Sequence, residues 1–276
     1  MHHLTVFRVI LGTYLFSVFA RLIPWGADLY SRVGLLADFR HNPTHAFVPF
    51  NPLYHWDAPL VVQGVLAALA LLTLLLALGV FPRVAAGLLW LGWALLWHRN
   101  VFTLNPSVPF IGFLLLALLF TPRGVQGPMP RDVARVVWIV VMVGYSWSGI
   151  TKLASPSWQS GEALGYVLSG PLARDVPWVE ALVALPLLTK LLTWGTLALE
   201  VLAGPLALSR RLRPLVWLAL VGLHLGILAT VQFAELTLGM LVVHAFAFDS
   251  AWLHTVRRWL GRRAPASTQA PALAAR

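Results

Sequence analysis

Lys152 has the residue type and position best suited to acid–base chemistry in this chain. It ends a largely apolar run from Val133 to Ile150, and Lys190 is the only other lysine in the sequence. An ammonium at the end of such a run can anchor the helix by reaching toward the membrane interface. It can also act as a general base once burial removes the hydration of its charged form. The residue types alone leave both interpretations open.

Four more ionisable side chains fall inside apolar segments, where such groups are costly and commonly functional: Arg8, Glu200, His224 and His244. Glu200 is either a neutral acid hydrogen-bonded to a neighbouring helix, a charge partner of Arg8 or Lys152, or a proton relay. His224 lies mid-segment between small residues. A structural role and a catalytic role are equally open for its imidazole. His244 and His254 lie closer to the cytoplasmic end and are predicted to be interfacial.

Trp158 and Gly161 follow Lys152 in a polar segment. Most of the other tryptophans fall at the ends of apolar segments, as expected for interfacial anchors, whereas Trp158 does not. Its position beside the lysine makes it a candidate pocket residue.

The spacing of His41 and His45 invites comparison with a metal site. Pro43 interrupts the helix that would place both imidazoles on one face, and no carboxylate lies at ligand spacing, so no metal is predicted. No Ser-His-Asp arrangement or phosphate-binding glycine loop is found either. Cysteine is absent, which excludes disulfides and thiolate chemistry.

The composition indicates an integral membrane protein. Of 276 residues, 59% are hydrophobic and 11% are charged, and the mean hydropathy is +0.77. Soluble domains have about 25% charged residues. The excess of 20 Lys and Arg over 10 Asp and Glu is assigned to membrane topology, because no nucleic-acid-binding pattern accompanies it.

The predicted fold is all-α, a polytopic transmembrane helical bundle of about eight spans within residues 1–260, followed by a disordered cytoplasmic tail, 261–276. A spanning helix needs roughly 20 mostly apolar residues. The segments that approach this length are 4–24, 58–80, 83–98, 107–121, 133–151, 188–208, 213–231 and 235–249.

The positions of the basic residues predict the topology of these spans. With both termini cytoplasmic, cytoplasmic segments contain twelve arginines and the opposite side contains seven basic residues. This arrangement places Lys152 on the outer face, in what we expect to be a bacterial inner membrane. It also leaves two long outer-face loops, 25–57 and 152–187, the second with short interfacial helices near 161–169 and 174–185.

Short motifs along the chain, in their order and spacing, resemble the membrane domain of vitamin K-dependent gamma-carboxylase and the bacterial HTTM-domain proteins related to it. The resemblance extends from about residue 4 to residue 250, and Gly-x-x-Lys-Leu…Trp-x-x-Gly is its most specific part. The motifs are Phe7-Arg8, Leu29 to Leu36, Asn51-Pro-Leu with Trp56-Asp57, Gly79 with Arg83, Gly149-Ile-Thr-Lys-Leu…Trp158…Gly161, Glu200…Gly204, and His224 followed by Phe233.

This resemblance implies that Lys152 is the base that deprotonates a lipid quinol, either reduced vitamin K or menaquinol, which then reacts with oxygen to give an epoxide. In the family, the strong base so formed removes a proton from a substrate glutamate, and carbon dioxide adds. The expected partners are membrane lipids, a lipid quinone and a separate protein or peptide substrate. The residues expected to shape or support the site are Trp158, Gly161, Glu200, His224 and Arg8.

The chain departs from the family pattern at several points. Thr151 stands where the carboxylating enzymes have a first lysine, and Pro106 stands where they have a histidine used in carboxylation. No stretch of residues 1–276 resembles the large lumenal portion that recognises peptides in the family. These departures count against carboxylation of peptide glutamate, and the missing histidine and second lysine favour a non-catalytic scaffold. Quinol chemistry at Lys152 stays the leading hypothesis. The alternatives are a non-catalytic quinone- or lipid-binding membrane scaffold and, less favoured because no internal repeat is found, a small-solute transporter.

Overall fold

The computed structural model describes residues 3–48, 50–121, 129–249 and 251–252, and this part of the chain is all-helical. The predicted tail and His254 lie outside the described residues. The α-helices of the described part are α1 (His3–Leu22), α2 (Gly26–Tyr30), α3 (Pro59–Leu78), α4 (Pro82–Arg99), α5 (Ser107–Leu119), α6 (Arg131–Lys152), α7 (Pro156–Ser160), α8 (Ala163–Leu168), α9 (Pro177–Val183), α10 (Pro186–Leu208), α11 (Arg213–Thr230) and α12 (Ala234–Ala247).

Each of the eight predicted apolar segments forms a helix. Five of these helices, α1, α3, α6, α10 and α11, are long and apolar enough to cross a membrane, whereas α5 and α12 are apolar but shorter. The remaining segment forms α4, whose first turn contains Arg83 and whose last turn contains His98 and Arg99. The described helices therefore support an integral membrane protein.

The eight longer helices pack around a common apolar core. The most extensive contacts join α1 to α3 and α6 to α10, and α4 connects α3 to α5. Helix α12 contacts α1, α5, α6 and α11, so it links the two parts of the bundle. The core includes buried side chains from all eight of the longer helices. This packing holds α6, which ends at Lys152, against α10, which contains Glu200.

The first long loop, 25–57, is held on the end of α4 by polar side chains. The amides of Asn42 and Asn51 each donate a hydrogen bond of 2.7 Å to a backbone carbonyl of α4. The fully buried Arg99 donates to three loop carbonyls and lies 3.5 Å from a carboxylate oxygen of Asp57. These bonds satisfy helix-end carbonyls and a buried charge at the same time. The loop is an ordered cap rather than a free connector.

The second long loop contains α7, α8 and α9, so the short helices predicted near 161–169 and 174–185 are observed at 163–168 and 177–183. Arg174 Nε and Trp178 Nε1 donate to backbone carbonyls in the last turn of α11, at 2.8 and 3.0 Å. This loop therefore covers the end of α11 and leads directly into α10.

Candidate functional site

Small residues bring α6 and α10 close together. A Cβ added to Gly149 would lie 2.5 Å from the backbone nitrogen of Val201, and one added to Gly204 would lie 2.8 Å from Ser146 Oγ. Both distances are shorter than real Cβ contacts. Small residues at such positions allow close packing of membrane helices.

Ser146 also satisfies backbone groups near a proline inside α10. Pro205 has no N–H, so the carbonyl of Val201 lacks its usual helical donor. Ser146 Oγ donates to that carbonyl at 3.1 Å and accepts from the backbone N–H of Gly204 at 2.9 Å. The interface between α6 and α10 is thus fixed by polar contacts as well as by packing.

We expect Gly149→Ala to destabilise the protein by about 1–3 kcal/mol, because the added methyl group would displace the α10 backbone. Gly195→Ala is the matched control, since a Cβ at this other helical position meets nothing within 4 Å. Thermal unfolding of the purified chain, followed by circular dichroism, measures the difference. Equal midpoints for the two variants would show that the close approach at Gly149 has no energetic consequence.

The side chain of Lys152 forms an ion pair with Glu200 at this interface. Its Nζ donates to the Glu200 carboxylate and, at 2.8 Å, to Ser148 Oγ one turn earlier on α6. The Nζ lies 5.1 Å from the ring centroid of Trp158, a cation–π distance. The Lys152 side chain is 25% exposed and that of Glu200 is 8% exposed.

Glu200 lies well inside α10, far from the N-terminal end of that helix. Glu200 follows Pro186, the first residue of that helix, by 14 positions, or about 21 Å along the helix. Lys152 is the last residue of α6, so the two helices are offset, and α10 continues past the end of α6. The ammonium contacts a carboxylate inside the bundle, an arrangement that differs from an anchor extended toward the interface.

Trp158 is positioned by contacts between α7 and α10. Gly161 ends α7 with a φ of +82°, and a Cβ there would collide with Lys190 of α10. Trp194 Nε1 donates to a backbone carbonyl of α7 at 3.1 Å. The chain's second lysine, Lys190, lies 5.1 Å from the ring centroid of Trp194, so both lysines neighbour a tryptophan. The structure therefore brings together Lys152, Trp158 and Glu200, with Gly161 as a packing residue.

A second polar group lies in the bundle interior, where Tyr145 joins two histidines. Tyr145 Oη lies 2.6 Å from His224 Nε2 and 2.8 Å from His244 Nε2, and all three side chains are buried. A hydroxyl donates only one proton, so it donates to one imidazole and accepts from the other, and two neutral imidazoles must be opposite tautomers. His244 is 1% exposed because α12 turns it toward α6 and α11; its position at the membrane interface stays a prediction.

The two polar groups are neighbours along α6. Tyr145 precedes Lys152 by seven residues, which is two helical turns or about 10 Å on the same face. Sequence reasoning missed Tyr145, although its spacing to Lys152 was a usable signal.

We expect Tyr145→Phe to lower the free energy of unfolding by about 1–3 kcal/mol, because both buried imidazole nitrogens lose their partner. Tyr166→Phe is the control, since that hydroxyl contacts Glu162 at an exposed site. Denaturant unfolding of both variants gives the comparison. A Tyr145→Phe protein as stable as the control would contradict a stabilising role for the hydroxyl.

Arg8 is 2% exposed in α1, a helix that packs mainly on α3 and α12. The ion pair of Glu200 is formed with Lys152, which decides between the two charge partners predicted for it. Across the described residues, no group of three or more His, Asp or Glu side chains could hold a metal ion.

No family model matches this chain, and no curated protein or solved structure matches it.

Proposed function

We propose that this chain is an integral membrane protein of eight spans that binds a lipid-soluble quinol, reduced vitamin K or menaquinol, at Lys152 and deprotonates it. The observation that supports this most directly is the ion pair between Lys152 and Glu200 beside Trp158. An ionisable pair inside a membrane bundle is costly, which favours a functional role. The resemblance of the Lys152 motif to the carboxylase family supplies the quinol.

In this proposal α4, α5 and α12 complete eight spans with both termini in the cytoplasm, and the quinol site opens to the outer side. The excess of arginines in the segments predicted to be cytoplasmic supports this topology. His3 at the start of α1 lies 3.2 Å from the carbonyl oxygen of Ala245 near the end of α12. The first and last of these helices thus begin and end on the same side, as an even number of spans requires.

The residues at this site can bind each part of a quinol: its hydroxyl, its ring and its isoprenoid tail. A phenolic hydroxyl can bind to the ammonium–carboxylate pair, and an aromatic ring can pack against Trp158. Ile150 and Leu153, on either side of Lys152 in sequence, are exposed apolar residues that can contact an isoprenoid tail. The group can therefore be held at both its polar and its apolar ends.

Proton transfer in this arrangement uses both members of the pair. The charged Lys152 passes a proton to the Glu200 carboxylate and, as a neutral amine, takes the proton of the quinol hydroxyl. The quinol O–H bond breaks and its electron pair stays on the quinolate oxygen. The pair gains one proton overall, ending as ammonium and neutral carboxylic acid. Molecular oxygen then oxidises the quinolate to the epoxide and hydroxide, as the resemblance implies, and the hydroxide takes the extra proton from the pair to give water.

A non-catalytic quinone-binding scaffold is the second candidate. It is favoured by the hydrogen bonds of Lys152, whose ammonium already donates to both Glu200 and Ser148. Such a site holds a quinone headgroup without needing a proton transfer.

Purified full-length chain in lipid nanodiscs, supplied with reduced menaquinone, distinguishes these candidates. Quinol consumption is followed by absorbance and the product by mass spectrometry, with and without oxygen. Oxygen-dependent consumption above that of protein-free nanodiscs supports the enzyme, and retained quinone without consumption supports the scaffold. Neither retention nor consumption would contradict both.

A further inference from the structure

A cavity of about 790 Å³ lies at the other end of α6, far along the chain from Lys152. It is formed where the start of α6, the connection between α10 and α11, and the end of α12 meet. Its lining combines positively charged and aromatic side chains, including Arg131, Arg135, Arg210, Arg213, Trp138 and Trp252.

The positive charge of this cavity is only partly compensated within the described chain. Arg135 lies 3.3 Å from Asp132, but both side chains are exposed, so the pair is weak. Asp249 is the one acid among the described lining residues. The side chains of Arg131 and Arg210 have no hydrogen bond or ion pair with another described residue. Two guanidinium groups are therefore available to an anion.

The aromatic part of the lining indicates which chemical groups of a ligand would lie beside its anionic group. Trp138 and Trp252 pack edge to face with ring centroids 6.0 Å apart. The Trp138 indole N–H is buried and has no acceptor within the described residues, so a ligand oxygen would supply one. Aromatic rings with a polar edge are typical of the depth at which lipid headgroups meet acyl chains.

We propose that this cavity binds the phosphate headgroup of an anionic phospholipid. Guanidinium groups form paired, charge-assisted hydrogen bonds with phosphate oxygens, and basic pockets between membrane helices recognise anionic lipids. The aromatic rings contact the glycerol and upper acyl region.

The C-terminal segment of the chain is a poor occupant of the same cavity. Residues 253–276 contain five arginines and no Asp or Glu, so their charge has the same sign as the cavity. Free inorganic phosphate matches the arginines but leaves the aromatic part of the lining unused. A phospholipid satisfies both.

The test measures lipid retention by the full chain in neutral detergent, where no charged bilayer contributes. The Arg131→Gln/Arg210→Gln variant is compared with Arg32→Gln/Arg40→Gln, which removes the same charge from exposed positions of the first long loop. Native mass spectrometry after addition of phosphatidylglycerol or phosphatidylcholine gives the bound fraction. We expect the wild type and the loop variant to retain phosphatidylglycerol in preference to phosphatidylcholine, and the cavity variant to bind it at least about tenfold more weakly.

Competition identifies the source of the phosphate group. Inorganic phosphate and glycerol phosphate, added to the lipid-bound wild type, are expected to displace little phosphatidylglycerol. Full displacement at matched concentration would overturn the lipid assignment, because the cavity would then be a soluble-phosphate site. Equal loss of lipid in both arginine variants would overturn the proposal, since binding would then follow net charge alone.

Discussion

Lys152→Met is expected to lower the rate of quinol consumption by roughly 10²–10⁴-fold, the usual contribution of a general base. The methionine preserves most of the side-chain volume but has no proton acceptor for the quinol hydroxyl. Initial rates in nanodiscs at saturating reduced menaquinone, with oxygen present, give the comparison.

Lys190→Met is the matched control for this substitution. Lys190 is the chain's other lysine, and its Nζ lies at the same 5.1 Å from a tryptophan ring centroid, but the carboxylate of Glu200 is paired with Lys152. We expect it to retain the wild-type rate. Equal rates for wild type and Lys152→Met would remove Lys152 from the chemistry, and equal losses in both lysine variants would point to a general effect of charge.

Glu200→Leu is expected to destabilise the protein by about 3 kcal/mol. Removing one partner of a buried ion pair leaves an uncompensated charge, which costs about 3–5 kcal/mol, and partial exposure of Lys152 favours the lower end. Denaturant unfolding of the detergent-purified chain measures the change. Glu180→Leu, at an exposed position of α9, is the control and is expected to change stability little.

Combining Lys152→Met with Glu200→Leu separates stability from function. The double variant has no unpaired charge, so it is expected to regain most of the stability lost in Glu200→Leu while remaining inactive. Strictly additive stability losses would show that the two side chains are not energetically coupled. Full activity in the double variant would show that the pair has no part in proton transfer.

The helices of this bundle could be predicted from the sequence because local patterns define them. Apolar runs near membrane length identify the eight segments, and the proline and glycine signals between them mark their ends. The short helices of the second long loop were also predicted close to their observed positions. The packing of the first long loop on the end of α4 was not predicted. The backbone carbonyls that accept from Arg99 belong to residues distant in sequence, and a backbone carbonyl cannot be recognised from residue type.

The site was only partly predictable, because its contacts depend on the offset between helices. Lys152 and Glu200 were both identified, yet the choice between Lys152 and Arg8 as partner of Glu200 required the packing of α6 on α10. Tyr145 was missed since a tyrosine in an apolar run looks like a core residue. The burial of His244 against Tyr145 was not predicted, because it depends on which side of α12 faces α6.

Quinone occupancy of the purified protein tests the proposed site most directly. The wild type and the double variant Lys152→Met/Glu200→Leu are purified in parallel, incubated with menaquinone, washed, and analysed by mass spectrometry for quinone per chain. We predict near-stoichiometric quinone in the wild type and a large loss in the equally folded double variant. The same quinone content in both proteins, or none in the wild type, would contradict a quinol site at Lys152 and Glu200.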